Sequence, residues 1–239
     1  MDVVNYLLGY KNLKIYQNSS MFNFSLDSVL LPNFVTINAR AKEILDIGCG
    51  NAPISIILTT KTTAHITGVE IQPKVFSLAQ KSVDINNLNA QITLINDDIN
   101  KLALNLESDT FDVIVCNPPF FRVNPDSRLN DSEYKTVARH EVSLDIDKIM
   151  KISKKLLKNN GVIAIVHRPE RLVSIIEAMK KNNIEPKKIQ FVYPKSNSNS
   201  NILLIEGSKN GKEGLKVLPP IYTHEENGEY TEEIKKFFE

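Results

Sequence analysis

From residue 43 onward, short apolar runs alternate with stretches in which apolar residues recur every three or four positions. The first pattern marks buried strands and the second amphipathic helices. Glu43-Ile44-Leu45-Asp46-Ile47 reads as a strand ending in the turn Gly48-Cys49-Gly50, and Pro53 opens an apolar helix reaching about Lys61. A strand from Ala64 to Ile71 and a helix from Pro73 to Asn87 follow, the helix carrying Val75, Leu78, Ala79 and Val83 on one face. A strand from Gln91 to Asn96 leads to the polar turn Asp97-Asp98, and another runs from Phe111 to Cys116. A mixed-charge loop spans Arg122 to Glu141. Beyond it the pattern predicts a lysine-rich helix from Asp145 to Asn159 closed by Gly161, a strand from Val162 to His167 and a helix from Pro169 to Asn182. Lys188 to Tyr193 and Ile202 to Gly207 complete seven predicted strands.

Strands that alternate with helices of this length imply a doubly wound α/β fold with a mostly parallel sheet. The last two strands have no helix between them, so they should form an antiparallel hairpin at one edge. The expected organisation is a core over 41–207, an amino-terminal extension over 1–40 and a carboxyl-terminal extension over 208–239. The polar run Lys195-Ser196-Asn197-Ser198-Asn199-Ser200-Asn201 reads as the hairpin connection.

Composition changes this picture little. The 239 residues are 42% hydrophobic, enough for one substantial core, and a formal net charge of +1 neither points to nucleic acid nor excludes it. Cys49 and Cys116 lack C-x-x-C partners, and the four histidines show no metal-ligand spacing, so no disulfide framework and no metal are expected. No signal peptide and no apolar run near the ~20 residues of a membrane span are evident, which makes a cytoplasmic protein the expectation. Nothing in the chain speaks to oligomeric state.

Chemistry concentrates behind the strands. Small residues in Gly48-Cys49-Gly50 let the backbone approach a ligand, and Glu70, 20 residues after Gly50, sits where a carboxylate can accept both ribose hydroxyls. A dinucleotide fingerprint wants a third glycine where this chain has Pro53. S-adenosylmethionine, with no pyrophosphate to cradle, fits better, and Asp46 would face its cationic methionine part. After the third strand, Asp98 would accept from the cofactor adenine amine and the Ile99 amide would meet its ring nitrogen. Asp97 remains an alternative to Asp98, and two solvated turn aspartates are the bland reading.

The sharpest signal is Asn117-Pro118-Pro119-Phe120, directly after a strand. Two prolines end the ladder and stiffen the loop. An exocyclic amine is a poor nucleophile because its lone pair is delocalised into the ring. The Asn117 side-chain oxygen and the Pro118 carbonyl can accept its two hydrogens, drawing the nitrogen toward tetrahedral geometry, while Phe120 stacks on the base. No general base is needed before transfer, because alkylation makes the proton acidic. A base inside a nucleic acid must first be unstacked.

With this loop the chain resembles the amino-group methyltransferases acting on adenine N6, guanine N2 or glutamine N5. More narrowly, it is similar over nearly its whole length to the bacterial tRNA adenine-37 N6-methyltransferases that modify valine tRNA. Phe24-Ser25-Leu26-Asp27-Ser28-Val29-Leu30-Leu31 supports the resemblance, and Ala138-Arg139-His140-Glu141, Val166-His167-Arg168-Pro169-Glu170-Arg171 and Gly228-Glu229-Tyr230-Thr231 are specific to the narrower group. It implies a Rossmann-like fold and S-adenosylmethionine held by Asp46, Gly48, Gly50, Glu70, Ile71, Asp98, Ile99 and Asn117. It also implies catalysis by Asn117, Pro118 and Phe120, with Pro119, Phe121, Arg122, Arg139, His140 and Arg168 meeting the anticodon loop of a tRNA. Blander readings stand beside these. Ser25 would cap a helix whose apolar face is Val29, Leu30 and Phe34, and Lys148, Lys151, Lys154, Lys155 and Lys158 would form a solvated helix face. Rival functions are methylation of ribosomal RNA and of protein glutamine, a non-catalytic binding module, and a nicotinamide oxidoreductase.

Overall fold

The computed structural model describes residues 2–7, 10–18, 25–118 and 145–236. Phe24, Pro119, Phe120, Phe121, Arg122, Arg139 and His140 lie outside the described residues.

Five parallel strands form the centre: β3 (Glu43–Ile47), β4 (His65–Val69), β5 (Ile92–Ile95), β6 (Phe111–Cys116) and β7 (Leu157–His167). Their side chains alternate between two cores, as the period of a strand demands. Ile44, Val113, Val115, Ala164 and Val166 face one, and Leu45, Ile47, Ile114, Cys116, Ile163 and Ile165 face the other. Helices cover both faces. α1 (Asp27–Phe34), α2 (Pro53–Leu58) and α3 (Pro73–Ile85) supply the first core. α4 (Ile99–Asn105), α5 (Ile146–Leu156) and α6 (Leu172–Lys181) supply the second.

The order β5-β4-β3-β6-β7 reverses direction between β3 and β6, which opens a crevice at their carboxyl ends. The expected hairpin is β8 (Ile184–Tyr193) and β9 (Ile202–Lys209), and it does join one side of the sheet. Its antiparallel member is not the edge, however. β9 inserts between β7 and β8, pairing antiparallel with both, and the short β10 (Lys216–Val217) and β11 (Ile221–Tyr222) line the outer side of β8. Ile202 to Gly207 is buried on both faces, as an interior strand requires.

Three local expectations need correction. Gly161 does not close the lysine-rich helix, which ends at Leu156 and passes directly into β7. A Cβ at Gly161 would stand 2.8 Å from the Lys158 carbonyl oxygen and 3.1 Å from that of Asp112. Glycine is therefore needed there for the close approach of backbones where the register of β6 and β7 shifts. Ser25 does not cap α1: Leu26 is the capping residue and no side-chain cap is made. The Ser25 hydroxyl donates instead to the Asp27 carboxylate, 3.1 Å away. Finally, the first 40 residues hold an unforeseen hairpin, β1 (Asp2–Leu7) with β2 (Tyr10–Asn18), whose Leu7 and Ile15 are buried in the first core.

Candidate active site

Strand register brings the motifs together. Ile47 pairs with Val69 on one side and Cys116 on the other, Val69 pairs with Ile95, and Cys116 with Ile165. The residues that follow are therefore neighbours along one rim, in the order Asp98, Glu70, Gly48 to Gly50, Asn117-Pro118, His167-Arg168.

The turn after β3 is tightly wound. Gly48, Gly50 and Ala52 all take left-handed backbone, at φ 67°, 59° and 70°. Nothing lies within 4 Å of the place a Cβ would take at Gly48 or Gly50, so the turn faces open space. For Ala52 the conformation costs about 1–2 kcal/mol. Bonds from both sides hold it: the Ala52 amide donates to the Cys49 carbonyl at 2.8 Å, and the Cys49 amide to that of Val69 at 3.0 Å. Pro53 then begins α2, where its missing N–H is no loss.

Asp46 is fully buried beneath this turn. Its Oδ2 accepts from the Ser55 hydroxyl at 2.6 Å, whereas its Oδ1 has no hydrogen-bond partner among the described residues. Burial pushes the carboxyl up to about 7, against the pull of Ser55. A buried carboxylate oxygen without a partner is costly unless something positive or a donor meets it. The cationic cofactor expected from the sequence fits that vacancy in bonding.

Glu70 is also buried, which raises its carboxyl, and it is gripped by backbone. Oε2 accepts from the Gly50 amide at 3.0 Å and Oε1 from the Gln72 amide at 2.8 Å, both lowering it again. Each oxygen keeps a further lone pair for a hydroxyl donor. Asn96 donates to the Glu70 carbonyl at 2.7 Å, tying the ends of β4 and β5 together. Ile71, next along, is exposed.

Of the two aspartates after β5, Asp98 is the structured one. It caps α4, its Oδ1 accepting from the Asn100 amide at 2.9 Å, while Asp97 is exposed and accepts from the Asp98 amide at 2.7 Å. Ile99 opens the helix, so no carbonyl within α4 can reach its amide.

Asn117 is half-buried and Pro118 buried, beside the glycine turn across the β3/β6 pair. His167 is buried, which lowers it to about 4, and its Nδ1 accepts from the Arg168 amide at 2.7 Å. It is thus a neutral ring that shapes the rim rather than a charged contact. Arg168 reaches across the start of β9 to the Asn201 carbonyl at 2.8 Å, and its charge is felt at Asp27, which brings the start of α1 to the same rim. Burial raises the thiols of both Cys49 and Cys116, which removes them as nucleophiles.

The sequence reading missed Ser55, Asn51, Gln72 and Asn96. Ser55 had a signal, since it is the one polar residue in the helix Pro53-Ile54-Ser55-Ile56-Ile57-Leu58. The lysine stripe lies elsewhere. Lys148, Lys151, Lys154 and Lys155 line an open groove of about 740 Å³ beside α5 that includes none of the rim residues.

A tRNA1(Val) (adenine(37)-N6)-methyltransferase of Shewanella halifaxensis is 31% identical over 65% of this chain and 61% of its own length. One of Flavobacterium psychrophilum is 23% identical over 97% of this chain and 99% of its own length. Among solved structures, a predicted O-methyltransferase from Agrobacterium tumefaciens superposes with a TM-score of 0.70 at 17% identity, covering 89% of this chain and 95% of that one. That likeness shows the fold alone. Residues 38–221 match the model of the family described as a methyltransferase domain. That span takes in Asp46, Glu70, Asp98 and Asn117, and the chain belongs to the methyltransferase domain family.

Proposed function

We propose that the protein is an S-adenosylmethionine-dependent methyltransferase that modifies N6 of an adenine in tRNA, adenine 37 beside the anticodon. The observation that carries the reading is the pairing of Ile47 with Cys116. It sets Asn117-Pro118 against the glycine turn, above an Asp46 oxygen with no partner among the described residues. The names of the relatives from Shewanella halifaxensis and Flavobacterium psychrophilum support the substrate. Such a substrate would put the protein in the cytoplasm. In this reading 41–207 is the catalytic core, with 1–40 and 208–239 as attachments to it.

The cofactor supplies an electrophilic methyl group on a sulfonium sulfur. Asp46, Gly48 and Gly50 hold its methionine part, Glu70 accepts from the ribose hydroxyls, Ile71 packs on the adenine, and Asp98 with the Ile99 amide reads the adenine edge. Asn117 and the Pro118 carbonyl accept the two hydrogens of the substrate amine, so the nitrogen lone pair leaves the ring plane. Phe120 stacks on the base, flanked by Pro119 and Phe121. Arg122, Arg139, His140 and Arg168 meet the RNA backbone, a role that contributes affinity without base identity. His167 supplies no proton chemistry, because a ring held neutral by burial has its Nδ1 occupied.

The test is transfer of labelled methyl from S-adenosylmethionine to unmodified tRNA, followed by nucleoside analysis. N6-methyladenosine that disappears with Asn117→Ala is the expected result. Label in ribosomal RNA or release factors but not in tRNA would transfer the reading to the rival substrates.

A further inference from the structure

The amino-terminal hairpin is joined to the site through an unusual edge. β2 pairs with β1 along one side, and along its other side the backbone groups of Lys14 and Tyr16 meet side chains instead of a third strand. The Lys14 amide donates to Asn86 Oδ1 at 2.9 Å, and Asn86 Nδ2 donates back to the Lys14 carbonyl at 2.6 Å. The Tyr16 amide donates to the Ser82 hydroxyl at 2.9 Å. Ser82 and Asn86 belong to, or directly follow, α3. The remaining group, the Tyr16 carbonyl, accepts from Asn51 Nδ2 at 2.8 Å. Asn51 is buried and lies between Gly50 and Ala52, inside the left-handed turn.

These bonds close a circuit. Glu70 holds the Gly50 amide, α3 follows Glu70 after two residues and holds β2, and β2 returns to hold Asn51. We propose that Asn51 is a positioning residue and that β2 is a wall of the cofactor site, so that docking of the hairpin and binding of the cofactor favour one another. The inference rests on the cofactor named under the proposed function and is independent of which RNA is modified. Without the Asn51 contact the turn keeps its glycines but loses the bond that fixes it against the hairpin. Coupling between two such events is reciprocal, so the cofactor must tighten the hairpin by the factor that the hairpin tightens the cofactor.

Titration of the full chain with S-adenosylmethionine, combined with amide hydrogen exchange, tests this. In the wild type, exchange at the amides of Lys14 and Tyr16 should slow when the cofactor is added. Asn51→Ala should weaken cofactor binding by roughly 3- to 10-fold, the range of one net hydrogen bond, and abolish that slowing. Ser82→Ala, remote from the turn, should weaken binding in the same direction. The double variant should then lose less than the product of the two single losses, because both act through β2. Unchanged exchange in a wild type that binds the cofactor would overturn the proposal, as would Asn51→Ala binding with wild-type affinity. A wild type that binds no cofactor would overturn the cofactor reading together with it.

Discussion

The two halves of the sheet carry their ligand groups in different ways. In the half formed by β3, β4 and β5, residues 48–52, 70–72 and 96–98 pass within a few residues from strand to helix, and their polar groups tie these short loops to one another, Gly50 and Asn96 both meeting Glu70. In the half formed by β6, β7, β9 and β8, residues 117–145 separate β6 from α5, and Arg168 finds its partner at Asn201. Local loops on rigid strands make a site of fixed shape, suited to one cofactor. A long connection after β6 leaves room for variety in what is methylated. The family model fits both halves.

Perturbing each half separately can break or sharpen this contrast. The largest effect is expected from Asn117→Ala, which should lower kcat about 10²–10³-fold, as loss of one pre-placed group in a reacting site does, while the cofactor still binds. Single-turnover transfer together with cofactor titration would check it. Equal losses in both measurements would mean that the halves are not separable. Glu70→Ala should weaken S-adenosylmethionine roughly 10- to 100-fold, from the ~1.5–3 kcal/mol that a hydrogen bond to a charged group carries. Calorimetric titration measures this, and the KM for RNA should stay where it was.

Asp46 makes the cofactor half sensitive to pH. With its carboxyl at about 7, cofactor affinity should rise about tenfold between pH 6 and pH 8, because a cationic ligand favours the ionised form. Asp46→Asn should flatten that rise. The sign for stability is opposite. The folded value lies above the ordinary 3.8, so the contribution of protonated Asp46 is complete below that value and is lost as pH rises through about 7. Melting of the cofactor-free protein should therefore decline over this window less in Asp46→Asn than in the wild type. The smallest effect belongs to Arg168→Ala. It should weaken RNA binding a few-fold and reduce the salt slope by about 1, with cofactor affinity unmoved. A salt series of filter-binding measurements would decide it.

The same division governs what could be read from the sequence. Strands β3 and β6 announce themselves because both faces are buried and the apolar runs are nearly continuous. Glu70 was legible from its spacing to Gly50, since a short βαβ unit leaves the chain little choice. Asn51 was not, because its partner is 35 residues away on a hairpin whose signal is only the alternation of Leu13, Lys14 and Ile15. α4 went unseen because a helix of Ile99–Asn105 is too short to establish a period against the strand that follows. Gly161 misled for a reason of chemistry: glycine serves equally to end a helix and to let two backbones approach, and only the partner strand tells which.

The interior position of β9 also bears on how the protein is made. β7 and β8 are complete by Tyr193, but the strand that separates them begins only at Ile202. A chain emerging from the ribosome therefore carries open edges on β7 and β8 until β9 arrives, and open edges are where chains mispair. Among the described residues β8 pairs only with β9, β10 and β11, so it can join the sheet only once β9 has paired with β7. Synthesis that stalls before Ile202 would leave the outer side of β7 uncovered, the kind of border along which chains pair wrongly.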